Sequence, residues 1–253
     1  MSHIYSDTFF NYIDQGARRS AREILALLAP QLQPTSVVDF GAGRGVWLDE
    51  WRKTGAQDIL AVDGDYVDRH QLAVPQENFM AADLTAPVHI DRRFDLAQSL
   101  EVAEHLPPAA AETLVDSLVR SSDRILFSAA VTGQGGEFHV NEQPLSYWQK
   151  LFAARGYTAY DCVRPHLSKN RSIEPWYRYN SVLYVNEAGL HGLPAAITQH
   201  QIPKGACVRN GGNIAWKFRR FVVSRLPQSA VTRIAQLRAQ IIAARAPGKT
   251  GVV

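Results

Sequence analysis

The sequence predicts an α/β protein with a doubly wound, mostly parallel seven-stranded sheet, an N-terminal helical lid and a basic C-terminal helical tail. Short apolar runs alternate with segments of helical periodicity, most of the runs end in polar residues, and a glycine turn follows the first run. A chain of 253 residues, 46% hydrophobic and 20% charged, is long enough to bury one such core.

The elements follow in order along the chain. Residues 5–29 have helical periodicity, and we predict a second helix within them at 18–28, ended by Pro30. The predicted strands are residues 36–40, 59–63, 79–83, 94–99, 124–131, 157–162 and 181–186. Further helices are predicted at 46–54, 109–121 and 144–155. Because strands that alternate with helices form parallel sheets, the polar strand ends are expected at one edge.

The charges are divided unevenly. From residue 201 onward there are ten Lys and Arg and no acid, so the tail has a charge of +10, while residues 1–200 have 17 basic and 24 acidic residues and a charge of −7. We therefore expect a domain at 1–190 and a basic, partly helical extension at 191–253. The N-terminus has no signal-peptide pattern, and Cys162 and Cys207 are too few for a disulfide framework, so a cytoplasmic protein is expected.

Residues 37–47, VVDFGAGRGVW, predict a buried strand, a glycine turn and a helix N-terminus whose backbone N–H groups face a polar ligand. The spacing Gly41-x-Gly43-x-Gly45 departs from the dinucleotide pattern G-x-G-x-x-G. Asp63 ends the next strand, where a carboxylate can accept two ribose hydroxyls of either a dinucleotide or another adenosine cofactor.

Four phrases in register narrow the choice of cofactor: DFGAGRG, LAVDGD, AADL and DLAQSLEVAEHLPP. Together they resemble class I S-adenosylmethionine-dependent methyltransferases, over roughly residues 15–187, which implies a Rossmann-like fold and S-adenosylmethionine as cofactor. The resemblance implies that Asp39 and the glycine turn face the methionine part, that Asp63 holds the ribose, and that Asp83 and the Leu84 backbone hold the adenine. An acidic rim that also includes Glu101 suits a cationic cofactor and would repel a pyrophosphate.

The phrase SLEVAEHLPP has no Asn/Asp-Pro-Pro-aromatic turn and is similar to small-molecule and sugar methyltransferases. Family members place acceptor-side groups where His105 and His139 fall, and either imidazole could act as general base, although His105 could instead be a structural residue that closes a helix. The predicted substrate-binding residues are Tyr5, Arg18, Glu142, Trp176 and Tyr177.

A metal is an open alternative at the acceptor side. Some sugar O-methyltransferases use magnesium, and the residues that could supply ligands are Glu101, Glu104, His105, His139, Asn141 and Glu142. No spacing among them demands an ion, so we predict no metal ligand.

The tail predicts an amphipathic basic helix at 213–226 and a second helix after Pro227. Three partners suit it. It could dock on the acidic body or on a second copy of the chain, lie on an anionic membrane surface, or bind nucleic acid, for which the tail has charge but no reading motif.

The sequence therefore predicts O-methylation of a sugar or a sugar-bearing acceptor, such as a polysaccharide or glycolipid. The alternatives are methylation of a small natural product on oxygen, nitrogen or carbon, and a non-catalytic scaffold that binds the cofactor.

Overall fold

The centre of the protein is one seven-stranded sheet in the order β3-β2-β1-β4-β5-β7-β6. The computed structural model describes residues 7–245, with the side chains of 14–227 and 229–237. The strands are β1 (Ser36–Phe40), β2 (Asp58–Asp63), β3 (Phe79–Ala81), β4 (Leu96–Leu100), β5 (Arg124–Ser128), β6 (Thr158–Tyr160) and β7 (Val182–Val185). The first five pair in parallel, and β7 runs antiparallel to β5 and β6. The predicted mostly parallel, seven-stranded sheet is confirmed.

Helices pack on both faces of this sheet and on the loops at its edge. They are α1 (Asp7–Leu32), α2 (Val46–Lys53), α3 (Ala111–Ser121), α4 (Leu145–Ala153), α5 (Arg164–Leu167), α6 (Pro175–Asn180), α7 (Ala195–Thr198), α8 (Ile214–Val223) and α9 (Gln228–Arg245). One apolar cluster joins α1 and α2 to one face, and a second joins α3 and α4 to the other. Alternate residues of β1 enter the two clusters, Val37 the first and Val38 the second, which is the period of a strand buried on both sides.

The prediction of two N-terminal helices was wrong, because α1 is continuous and Pro30 lies within it. Proline removes one backbone hydrogen bond in the last turn, which buried residues such as Leu25 and Leu28 offset by packing against the body. The helix ends where Gln33 adopts a positive φ of 43°, directly before Pro34.

Several strands are shorter than predicted, although each lies where an apolar run predicted it. Residues 129–131 are buried, yet they follow the end of β5 and turn into a loop. Phe94 makes an isolated bridge to Ser122 instead of beginning β4. Burial alone therefore does not distinguish a strand from the first residues of the loop that follows it.

Part of the predicted extension packs against the body. Ile197 and Val208 are buried in the two apolar clusters, and Gln201 bridges Tyr160 of β6. The predicted boundary at residue 190 stays a prediction. Among the helices of residues 7–245, none is long and apolar enough to cross a membrane.

Candidate active site

A cavity of about 630 Å³ opens at the carboxyl edge of β1, β2 and β4. Its lining contains six of the predicted site residues, namely Gly41, Asp63, Asp83, Leu84, Glu101 and His105. They come from four separate segments of the chain, one at the end of each of β1 to β4, and meet because parallel strands end at the same edge of the sheet.

The glycine turn forms one wall of this region. The backbone N–H groups of Gly41 and Ala42 donate to Val62 O, at 2.7 and 3.2 Å, which fastens the turn to β2. Gly41 has a φ of 83°, and a Cβ there would come within 2.3 Å of Val102. A Cβ on Gly43, whose φ is 54°, would meet no atom within 4 Å, so the turn faces open space at this point.

Asp63 lies at the end of β2 and is a buried acceptor of several hydrogen bonds. Gly43 N donates to its Oδ2 at 2.7 Å, and Gly64 N donates to its Oδ1 at 2.6 Å. The hydroxyl of the exposed Tyr66 also donates to Oδ1. Sequence reasoning missed Tyr66, because nothing in a loop tyrosine signals that its hydroxyl will meet the predicted ribose-binding carboxylate.

Asp39 is buried beneath the turn, with 3% of its surface exposed. Gln98 Nε2 donates to its Oδ2 at 2.8 Å, and Trp51 Nε1 donates to Gln98 Oε1 at 2.8 Å. Burial raises the pKa of Asp39 to about 7, and the nearby Asp63 adds to the effect while the Gln98 bond opposes it. Gln98, a polar residue inside an apolar strand, was the sequence signal for this buried network.

Asp83 and Leu84 line the cavity shortly after the end of β3. The side chain and backbone of Thr85 both donate to Asp83 Oδ1, at 2.7 and 2.8 Å, and these bonds lower the pKa of the carboxyl. Asp83 is therefore an exposed, ionised acceptor at the predicted adenine position.

Two acids after β4, the half-buried Glu101 and the buried Glu104, form a second group. Gln134 Nε2 donates to Glu101 Oε2 at 2.9 Å, and Asn180 Nδ2 donates to Gln134 Oε1 at 2.8 Å. Glu101 has a positive φ of 58°, a conformation that costs a non-glycine residue about 1–3 kcal/mol. Burial raises the pKa of Glu101, and burial together with the adjacent Glu101 raises that of Glu104 well above its usual value.

His105 lines the cavity, and the buried His139 meets it edge to face, with ring centroids 4.9 Å apart. Val140 N and Asn141 N donate to Glu104 O at 2.8 and 3.0 Å, which fastens the loop after β5 to the segment after β4. Desolvation and the neighbouring His139 lower the pKa of His105, although its exposed surface keeps part of the ring hydrated. The two predicted catalytic histidines are thus neighbours, although 34 residues separate them in the chain.

Glu142 lies within this loop and orients His139. Its Oε1 lies 2.8 Å from His139 Nδ1 and also accepts from Gly135 N at 2.7 Å, while its Oε2 accepts from Gly133 N at 2.8 Å. A Cβ on Gly136 would approach within 2.1 Å of His139 Nε2, so only glycine leaves room for the ring. Both oxygens of Glu142 are bonded inside the loop, and its predicted contact with substrate stays a prediction.

The other predicted substrate residues lie elsewhere or outside the described part. Arg18 pairs with Asp49 and Glu50 of α2. Tyr177 is buried and packs its ring on Trp47 with centroids 5.1 Å apart, and Trp176 is partly buried beside it. Tyr5 lies outside the described residues. The roles of these residues at the substrate stay predictions.

The residues around the cavity fit a cationic adenosyl cofactor. Among the described residues that line it, four are acids, Asp63, Asp65, Asp83 and Glu101, and none is Lys or Arg. Such a rim attracts a sulfonium and an ammonium and repels a pyrophosphate.

Comparison with known proteins points to methyltransferases. Residues 12–124 match the family model described as a methyltransferase domain. A malonyl-[acyl-carrier protein] O-methyltransferase of Pseudescherichia vulneris is 33% identical over 125 residues, which are 48% of this chain and 49% of that protein. This chain thus spans about half the length of the curated relative it matches.

Solved structures share the fold at low sequence identity. An O-methyltransferase family protein from Burkholderia thailandensis has a TM-score of 0.54 at 12% identity, over 70% of this chain and 58% of that one. A putative O-methyltransferase from Nostoc punctiforme has a TM-score of 0.53 at 13% identity, over 70% and 59%. The family match confirms the predicted resemblance, and with it the predicted cofactor class.

Proposed function

We propose that this chain, whose residues 12–124 belong to the methyltransferase-domain family and whose sheet has the class I fold, transfers a methyl group from S-adenosylmethionine to a hydroxyl of a sugar or sugar-bearing acceptor. The observation that carries the proposal is the acid-rimmed cavity, which His105 lines, with the His139–Glu142 pair packed against His105. The cavity suits the donor, and the imidazole suits the removal of a hydroxyl proton.

Methyl transfer requires the protein to align the acceptor hydroxyl with the methyl group and to remove the hydroxyl proton. The acceptor oxygen forms a bond to the methyl carbon as the sulfur–carbon bond breaks, and the sulfur keeps the electron pair. The acceptor proton passes to an imidazole at the cavity mouth, where His139 is held by Glu142 and His105 lies beside it. In this proposal Asp39 and the glycine turn hold the methionine part, Asp63 the ribose, and Asp83 and Leu84 the adenine.

A sugar hydroxyl fits this arrangement better than an already nucleophilic amine, since a bound hydroxyl needs a base and a bound neutral amine does not. Methylation of a small natural product uses the same donor site and is the alternative, and a scaffold that binds the cofactor without turnover is the alternative from another class.

Two measurements test the proposal. Calorimetry should show binding of S-adenosylmethionine that Asp63→Ala weakens by at least tenfold, because the substitution removes the acceptor at the predicted ribose position. Asp91→Ala is the matched control, because Asp91 is an exposed carboxylate that does not line the cavity. Screening of sugar nucleotides, lipid-linked sugars and phenols should release S-adenosylhomocysteine with a sugar-bearing hydroxyl. Turnover with a phenol alone would favour the natural-product alternative, and no wild-type cofactor binding would end the proposal.

We also propose that the tail lies on an anionic membrane surface. The face of α8 exposes Ile214, Phe218 and Phe221, with 87, 67 and 54% of their surfaces open, and the exposed Lys217 and Arg225 flank them. Apolar side chains among cations suit a bilayer that contains acidic lipid. This would bring the cavity mouth near lipid-linked acceptors, because α8 packs on the loop that contains His139.

Vesicle sedimentation tests the membrane contact. Wild type should sediment with phosphatidylglycerol vesicles and not with phosphatidylcholine vesicles, and Phe218→Ser with Phe221→Ser should abolish the binding. A change of oligomer size in the same double variant, without vesicle binding in wild type, would instead indicate that a second copy covers this face. Location in the cytoplasm stays a prediction.

A further inference from the structure

Glu104, His105 and His139 form a cluster larger than the single base that removal of a hydroxyl proton requires. One ligand atom each of Glu104, His105 and His139 lies within 4.8 Å of the other two. Two ligands of one tetrahedral zinc ion, bonded at about 2.1 Å, stand about 3.4 Å apart. Small side-chain movements would therefore bring all three onto a common ion.

Glu104 provides a second, independent observation. Its side chain is 1% exposed, and its Oε2 has no hydrogen-bond partner within the described residues. The carboxyl group of Glu101 lies beside it within hydrogen-bonding reach. A buried carboxylate oxygen without a donor is costly, and a second acid next to it adds to that cost. A cation bound at Oε2 would remove both costs.

The two imidazoles have the outer partners that metal-bound histidines have. His139 Nδ1 lies 2.8 Å from Glu142 Oε1, and His105 is hydrogen-bonded to the backbone of Phe138. Carboxylates and backbone carbonyls commonly accept the N–H of a ligating histidine, which fixes its ring and its tautomer. Glu142 is itself fixed by Gly133 N and Gly135 N, so this outer shell is rigid.

We propose that Glu104, His105 and His139 form a binding site for a divalent transition-metal ion at the mouth of the cavity. Two imidazoles and one carboxylate favour zinc or a similar ion over magnesium, which prefers oxygen ligands. Three protein ligands leave positions for water or for an acceptor hydroxyl, whose pKa such an ion lowers. Binding of the ion stands by itself. The effect of the ion on the acceptor rests on the proposed function. With the ion bound, His139 is a metal ligand instead of the base, and the acceptor hydroxyl loses its proton to water.

Calorimetry with zinc chloride on EDTA-treated, full-length protein tests the site without reference to methyl transfer. We expect one zinc per chain, which a hundredfold excess of magnesium does not displace. Glu104→Gln and His139→Gln should each weaken zinc binding by at least about 100-fold. Glu142→Gln should weaken it by about 10–100-fold, since outer-shell partners have effects of this size.

Thermal unfolding separates loss of the ion from loss of the fold. Without metal, Glu104→Gln should unfold at or above the wild-type temperature, because it removes a buried charge. Zinc should raise the unfolding temperature of wild type and not that of Glu104→Gln.

His200→Gln is the matched control, because His200 Nε2 lies 3.1 Å from His166 Nε2 in an exposed pair that could bind zinc adventitiously. Zinc binding that His200→Gln abolishes and Glu104→Gln leaves intact would overturn the proposal, as would the absence of zinc binding by wild type. Zinc binding without methyl transfer would leave the site standing and refute the proposed function alone.

Discussion

Replacing Asp39 by Asn should remove one contribution to the pH dependence of the free energy of unfolding. Asp39 is 3% exposed, and burial raises its pKa from 3.8 to about 7. The nearby carboxylate of Asp63 raises this pKa further, while Gln98 lowers it by donating a hydrogen bond to Asp39. Asparagine has nearly the same shape, can still accept from Gln98 and does not titrate.

The size of the effect follows from the two pKa values. Between about pH 4 and pH 7 the folded protein keeps a proton on Asp39 that the unfolded chain has already released. The stability that this proton gives the folded state is therefore present at low pH and is lost as the pH rises through 7. With values of 3.8 and about 7, the free energy of unfolding contributed by this group falls by about 2–3 kcal/mol between pH 5 and pH 8.

Urea unfolding of wild type and Asp39→Asn at four pH values between 5 and 8 measures this. The stability of Asp39→Asn relative to wild type should rise by about 2–3 kcal/mol over that range. Asp95→Asn is the control. Burial alone would raise the pKa of Asp95, but hydrogen bonds from Thr35 and Ser36 lower it overall, so its difference from wild type should stay constant above pH 5. A constant difference for Asp39→Asn would refute the reasoning.

Three further substitutions have defined outcomes. Gly136→Ala should displace the His139 ring and lower the rate of methyl transfer by about 100-fold, while calorimetry shows unchanged cofactor affinity. Tyr66→Phe should tighten cofactor binding about fivefold, because Asp63 then loses a competing intramolecular donor worth about 1 kcal/mol; weaker binding would mean that the tyrosine contacts the cofactor instead. Gly133→Ala would place a Cβ 2.4 Å from a carbonyl oxygen of α8, and should speed tryptic cleavage within that helix; unchanged cleavage would show that the helix is not held at this point.

The sheet could be predicted because both of its faces are buried, which leaves continuous apolar runs in the sequence. The residues at which the helices and strands begin and end could not be predicted. The end of α1 depends on whether tertiary packing outweighs one lost hydrogen bond at Pro30, and the sequence does not contain that balance. Similarly, residues 129–131 are as apolar as a strand, but they have left the ladder to begin the loop that contains His139.

The donor side of the site was more predictable than the acceptor side. Asp63 and the glycine turn sit at strand ends, so their meeting follows from parallel topology, and the structure places both at the cavity. The bond from Tyr66 to Asp63, the closeness of His105 to His139 and the orphaned oxygen of Glu104 depend on loop paths. A loop path is set by contacts between residues far apart in sequence, which no local pattern records.

The tail helix α8 is attached to the loop after β5 mainly through that loop's main chain. Arg219 Nη1 donates to Gln134 O at 2.6 Å, and Arg220 donates to Thr132 O at 3.0 and 3.1 Å. A backbone carbonyl is the same whichever side chain the residue bears. Apart from Gly133 and Gly135, where a Cβ would press on α8, the loop's side chains can therefore diversify to suit a different acceptor without detaching the tail, so that acceptor preference and tail anchorage are largely free to evolve separately.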